Sequence, residues 1–250
     1  LDSIMARYGK KGLFSGYLHI MEGDKVIYSK GNGWENKAQG IPFSDSTLFC
    51  IGSISKTFTA AGIFLLQQEG KLKVEDPVMK YIPAFKLYPD ITIQHLLYHT
   101  SGFPYRFWGL RDRVGNVGDT MFAEDLYRHM EETQLEPEFS PNEKYSYSNV
   151  GYQVLGDLIE RVSGMKLADF IEKKLFEPLG MPRSTVGDRL YVDKPGFANP
   201  YIRKRRKNKY RPYTYVDVYP DFFLPSRLSA DGQYYSTMTE IVKLRELWTT

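Results

Sequence analysis

The sequence predicts an α+β fold. An antiparallel hairpin opens the chain, helical periodicity dominates its middle, and 42% apolar residues in 250 supply a core large enough to join the two. Residues 16–34 alternate apolar and polar side chains on both sides of Glu22-Gly23-Asp24, the pattern of two strands joined by a tight turn. Ile54, Phe58, Ala61, Phe64 and Leu65 then recur at helical spacing with Gly70 just beyond, which predicts a buried helix beginning near Ser53. Pro77, Pro83 and Pro89 interrupt the next stretch, after which Thr92 is placed to cap a short helix over residues 93–98, followed by Gly102. Further helices are predicted over residues 123–134, 150–162 and 167–175, the last two separated by Ser163-Gly164. From Arg203 to Phe223 the composition shifts to Arg, Lys, Tyr and Pro, a long excursion with one ribbon, before Thr237 or Thr239 caps a last helix toward Trp248. Only the hairpin has a clear strand pattern, so the sheet these helices need lacks partners.

Composition narrows the function classes. The longest apolar run, Ala60 to Leu66, spans seven residues against the roughly 20 of a membrane-crossing helix, so no transmembrane segment is expected. The chain starts at Leu1 with no basic stretch leading into an apolar run, and it reads as a processed product or an excised piece. A single cysteine, Cys50, excludes an internal disulfide framework and a cysteine-only metal cluster. The net charge of +3 is concentrated in one place, since Arg203 to Arg211 holds seven basic residues and the remainder of the chain is net acidic. The 19 Tyr and 15 Phe suit polar-tipped pockets as well as a core.

The strongest chemical signal is Ser53-Ile54-Ser55-Lys56, an S-x-x-K at the first turn of the buried helix. Residues three apart share a helix face, so the Lys56 amine can take the proton of the Ser53 hydroxyl, provided burial or a neighbouring cation keeps that amine neutral. The helix N-terminus adds unpaired N–H groups suited to the negative charge of an attacked carbonyl, and Gly52 lets the backbone approach a substrate. S-x-x-K also arises by chance: Ser163-Gly164-Met165-Lys166 is a second instance, in a helix-to-helix turn where capping explains the serine. Ser55 points off the shared face and reads as structural. A second signal is Tyr147-Ser148-Asn149, ahead of a helix. Its phenol can relay protons and its carboxamide can hold a substrate's amide oxygen and the lysine, while the bland alternative has Asn149 capping the helix that follows.

Other constellations compete. His95 and His99 have a spacing that can hold zinc, but no H-E-x-x-H glutamate or third ligand accompanies them. No G-x-S-x-G is present to support a Ser–His–Asp triad. Cys50, one helical turn before Ser53 and flanked by apolar residues, reads as core rather than nucleophile. The run Arg203 to Arg211 has the density of a phosphate-binding patch with Tyr210 and Tyr213 available to stack. A solvated loop explains it better, because no nucleic-acid fold motif goes with it.

With these residues in order, the chain resembles the serine β-lactamase and penicillin-binding-protein superfamily, in its class C β-lactamase, D,D-peptidase and esterase-like branch. The resemblance is carried by Gly23 to Tyr28, Asp45 to Thr59, Ile91 to Gly102, Tyr147 to Gly156 and Phe176 to Met181. It implies a three-layer α/β/α fold with a central antiparallel sheet and a mostly helical lobe, the sheet being incomplete in this chain. One domain over residues 1–250 is expected, with hairpin 16–34, helical lobe 53–181, loop-rich segment 182–236 and helix 237–248. The resemblance further implies Ser53 as the acylated nucleophile, Lys56 as its proton acceptor, Tyr147 as partner in acid–base transfer, Asn149 as substrate anchor, and the Ser53 N–H as one oxyanion donor. Whether Lys56 or Tyr147 is the base stays open. His99 to Gly102 becomes a structural turn under the site floor. The superfamily's third motif, K-T-G or H-x-G, finds no match: Lys194-Pro195-Gly196 comes too soon, and its proline has no N–H to donate. The chain thus resembles the first two thirds of a complete enzyme.

The expectation is a serine hydrolase that forms an acyl-enzyme on an amide, ester or β-lactam carbonyl without metal or organic cofactor, with small peptide-like or ester substrates favoured over antibiotics. The rivals are an inactive or truncated relative that binds a ligand in the same cleft, and a nucleic-acid binder acting through Arg203 to Arg211. The resemblance leans toward the bacterial periplasm or envelope, and the sequence does not set an oligomeric state.

Overall fold

Helix α5 (Asn149–Ser163) is buried without a break from Val150 to Ile159, because neighbours cover it on every side. Such all-round burial marks the central helix of the lobe. The computed structural model describes residues 1–103, 123–134, 136–187, 194–204, 209–212 and 229–248. In chain order the elements are α1 (Asp2–Lys10), the hairpin β1 (Gly16–Glu22) and β2 (Lys25–Asn32), the short strands β3 (Trp34–Asn36), β4 (Ile41–Pro42) and β5 (Phe49–Cys50), and α2 (Ser55–Gln68). The middle adds α3 (Ile93–Leu97), α4 (Ala123–Thr133), α5 and α6 (Leu167–Ile171). After them come β6 (Thr185–Val186), the ribbon β7 (Tyr201–Lys204) and β8 (Lys209–Pro212), then β9 (Tyr234–Ser236) and α7 (Met238–Ile241).

The α+β class follows from these elements. The hairpin pairs Gly16 with Asn32 through to Glu22 with Lys25, across the turn the alternation predicts. Around α5 pack α2, α3 and α6, and the approach is close where side chains are small. A Cβ on Gly62 of α2 would meet Ile159 at 3.1 Å and Phe170 at 3.2 Å. A Cβ on Gly156 of α5 would stand 2.6 Å from that of Ala230, in the 3-10 turn Ser229–Asp231. That glycine seats the turn against the lobe. Phe58 packs edge-on against Phe176 with ring centroids 5.0 Å apart, and both are buried in the same core as Tyr234.

Several expectations need correction. The helix at Ser53 is a 3-10 turn, Gly52–Ile54, that runs into α2 at Ser55. The helix expected at 167–175 stays α only to Ile171 and widens into a π turn over Glu172–Phe176. The last helix, capped by Thr237 and not Thr239, is α over four residues and 3-10 from Val242 to Trp248. More strand exists than the hairpin. Strand β9 pairs with β5 (Phe49 with Ser236, Cys50 with Tyr235) and with β6 (Thr185 with Tyr235), giving a three-stranded sheet β5-β9-β6. Segments of two or three residues are too short to show an alternation, so only long-range pairing reveals them. Helix α1 is a further element that the pattern does not announce. Of the basic run, Arg203, Lys204 and Lys209 to Arg211 fall on the ribbon, whereas Arg205 to Asn208, like Tyr213 and the rest of 213–228, lie outside the described residues. Among the described residues no helix is long and apolar enough to cross a membrane.

Candidate active site

Ser53 is delivered to a cavity by a sharp change of backbone direction. Strand β5 ends at Cys50, Ile51 N–H is tied to Tyr234 O at 2.9 Å, and Gly52 takes φ +52°, a left-handed conformation that a Cβ would strain. The following turn leaves Ser53 exposed, while Ser55 and Lys56, on the first turn of α2, are buried. Ser55 is held inward, its Oγ accepting from Tyr234 N at 3.2 Å.

Two groups converge on the Ser53 hydroxyl. Tyr147 Oη donates to Ser53 Oγ at 2.7 Å, and Lys56 Nζ donates to the same oxygen at 3.3 Å. Lys56 is only 6% exposed, its Nζ also donating to the main-chain oxygen of Asp231 and standing 5.0 Å and 5.6 Å from the ring centres of Tyr147 and Tyr152. An exposed alcohol, a phenol and a buried amine in one cluster can pass a proton away from the alcohol and on to a leaving group.

The loop carrying Tyr147 is clamped by His99. That residue, at φ 58°, accepts from Ser146 N through its carbonyl at 2.8 Å and from Ser148 N through Nδ1 at 3.1 Å. Its ring lies against Tyr147 at 4.5 Å and Tyr152 at 5.1 Å. Burial, reinforced by the Lys56 charge, pushes the imidazole down to about 4, so it stays neutral and keeps Nδ1 as an acceptor. The ring is therefore a brace beneath the phenol.

Asn149 is the first residue of α5, but the cap is Ser148, whose Oγ accepts from Gly151 N at 3.1 Å. The capping alternative for Asn149 thus falls. Its side chain is left for the cavity, which it lines with Ser53, and its buried Oδ1 has no hydrogen-bond partner among the described residues. The cavity, about 600 Å³, runs from Ser53 past Phe49, Cys50, Gly232 and Tyr235.

The other candidates separate from this cluster. Cys50 is not a core residue: its place in β5 leaves it exposed on the cavity wall, Sγ donating to Gly232 O at 3.4 Å. Successive strand residues face opposite ways, and Cys50 takes the solvent side. His95 Nδ1 accepts from Thr92 N at 3.2 Å, completing a capping box, and its Nε2 lies 2.9 Å from Asn142 Nδ2. Among the described residues no three His, Cys, Asp or Glu side chains gather there. Ser163 Oγ accepts from Met165 N at 3.1 Å at the end of α5 and is not among the residues lining the cavity. Gly196, of Lys194-Pro195-Gly196, takes φ 82° in a turn and donates to Glu35. Two features of the site escape sequence reasoning: the bracing role of the His99 ring, and Asp231, whose Asp-Gly step resembles any surface turn.

Residues 1–245 match the model of the family described as Beta-lactamase. Penicillin-binding protein 4* of Bacillus subtilis (strain 168) is 36% identical over 190 residues, covering 76% of this chain and 42% of that protein. The teichoic acid D-alanine hydrolase of Staphylococcus aureus (strain MRSA252) is 29% identical over 241 residues, 95% of this chain and 55% of that protein. The chain therefore spans about half the length of these curated relatives. Among solved structures, the octameric penicillin-binding protein homologue from Pyrococcus abyssi superposes with a TM-score of 0.76 at 29% identity, covering 99% of this chain and 55% of that one.

Proposed function

This chain belongs to the Beta-lactamase family, and from that premise we propose that it is a serine hydrolase that forms an acyl-enzyme through Ser53. The observation that carries the reading is the convergence of Tyr147 Oη and Lys56 Nζ on one exposed Ser53 Oγ at the mouth of a cavity. The substrate class is an amide or ester carbonyl; one relative is named as a teichoic acid D-alanine hydrolase.

Ser53 Oγ attacks the carbonyl carbon as its proton passes into the Lys56–Tyr147 pair. The tetrahedral oxyanion is met by the Ser53 N–H at the head of the turn. Collapse breaks the bond to the leaving group, which receives the proton through Tyr147, and water then releases the acyl group from Ser53 by the reverse exchange. Asn149, whose side chain lines the cavity beside Ser53, supplies amide hydrogens to the substrate. The test is labelling of the full-length protein with a fluorescent fluorophosphonate and a fluorescent penicillin beside Ser53→Ala. A label present in the wild type and lost in the variant is expected, and equal labelling of both would remove Ser53 from the chemistry.

A further inference from the structure

Given Ser53 as the acylated atom, we infer that Tyr152 is a positioning residue for Lys56: the face of its ring holds the amine beside Ser53 Oγ and stabilises the ammonium that forms there. Lys56 Nζ stands 5.6 Å from the centre of that ring, inside the roughly 6 Å over which an aromatic face attracts a cation. Lys56 and Tyr152 are each 6% exposed, so the contact is desolvated, the condition under which this attraction is largest. Among the described residues no carboxylate forms an ion pair with Lys56. Its partners are Ser53 Oγ, the main-chain oxygen of Asp231 and the rings of Tyr147 and Tyr152.

The ring is fixed independently of the amine. Tyr152 lies on the first turn of α5, its Oη donates to Leu97 O at the end of α3 at 3.1 Å, and the His99 ring packs against it at 5.1 Å. Burial pushes the phenol up to about 12, so it stays neutral and acts on Lys56 through its ring alone. Lys56 comes from α2, and α2 and α5 meet again further along, where a Cβ on Gly62 would stand 3.1 Å from Ile159. That close approach of the two helices sets the distance at which the amine meets the ring. Tyr147 offers the amine a second face at 5.0 Å, but from the loop ahead of α5 and with its hydroxyl on Ser53 Oγ, whereas Tyr152 belongs to the buried core.

Tyr152 makes and breaks no bond. Ser53 Oγ loses its proton into the Lys56–Tyr147 pair as the Oγ–acyl bond forms, and with the proton on Nζ the amine becomes a buried ammonium that no ion pair compensates. The ring supplies the negative face it needs. A neutral amine gains far less from the same face, so the ring contributes more to the acylation transition state than to the resting enzyme. The hydroxyl of Tyr152 only orients the ring, and the effect therefore follows the electron density of the ring and not its hydrogen bond to Leu97.

The experiment measures the rate of acyl-adduct formation on Ser53 by rapid quench and intact mass, with p-nitrophenyl acetate and the full-length protein. Tyr152→Leu should slow acylation about tenfold, as loss of a desolvated cation–π contact requires, and Tyr152→Phe, which restores the ring without the hydroxyl, should recover most of that loss. Phenylalanine carrying one, two or three ring fluorines at position 152 keeps the shape while draining the face of negative charge, and the rate should fall stepwise along that series. The series carries the test if circular dichroism shows Tyr152→Leu unfolded. Equal rates along the fluorinated series, or a Tyr152→Phe as slow as Tyr152→Leu, would overturn the inference while leaving acylation of Ser53 intact. Absence of any Ser53 adduct in the wild type would instead remove the acylation reading itself, and the inference with it.

Discussion

Replacing His99 by Asn tests whether the brace under Tyr147 works as a neutral ring. Asn tolerates the left-handed backbone that His99 adopts at φ 58°, so the substitution reports on the ring and not on the turn. At pH 7.5 the variant loses ring contacts to Tyr147 and Tyr152, each of the kind that contributes about 0.5–1.5 kcal/mol. The pH dependence is sharper. The imidazole titrates near 6.5 when unfolded and near 4 when folded, a depressed value, so its contribution is complete above 6.5 and is lost as pH falls toward 4. At pH 5 linkage gives about 2 kcal/mol lost from the wild type and none from the variant. Urea unfolding at pH 7.5 and pH 5 should therefore show the gap between the two proteins narrow by about 2 kcal/mol, the contributions of other groups cancelling. A gap that stays constant with pH would refute a buried neutral imidazole.

Further consequences can be measured directly. Tyr147→Phe, losing the 2.7 Å donor to Ser53 Oγ, should slow acylation by about 10²–10⁴-fold in stopped-flow kinetics while leaving the melting temperature unchanged. Ser148→Ala removes the cap on Gly151 N and should cost about 1 kcal/mol in denaturant unfolding, together with a drop in activity because Tyr147 and Asn149 flank it. Gly62→Val should destabilise by about 1–3 kcal/mol, since its first carbon already meets Ile159 and Phe170 at 3.1–3.2 Å. Gly102→Ala should be worse than Gly62→Val in the same assay: it combines φ +77° with a Cβ 2.1 Å from Phe139 O.

What is legible in the sequence is local. Ser53 and Lys56 share a face because three residues fix their relation, and Thr92 and Gly164 mark helix ends through their own side chain or lack of one. Tyr147 stands out through its neighbourhood, but its 2.7 Å contact with Ser53 spans 94 positions, which no spacing rule expresses. Asp231 lies 175 positions from Lys56 and is hidden for the same reason. Strands β5, β6 and β9 are too short to alternate, so Cys50 reads as a helical core residue although its pairing with Tyr235 turns it toward solvent. Asn149 and Ser148 are indistinguishable as caps by residue type, because both side chains cap well, and only the backbone of Ser148 has the extended conformation a cap needs.

The most direct measurement is the mass of the Ser53-containing peptide after brief exposure of the full-length protein to an activated ester and a rapid acid quench. The mechanism requires that peptide to gain the mass of the acyl group in the wild type, to gain it far more slowly in Tyr147→Phe, and not at all in Ser53→Ala. An acyl group found on any other side chain, or turnover that persists in Ser53→Ala, would contradict it.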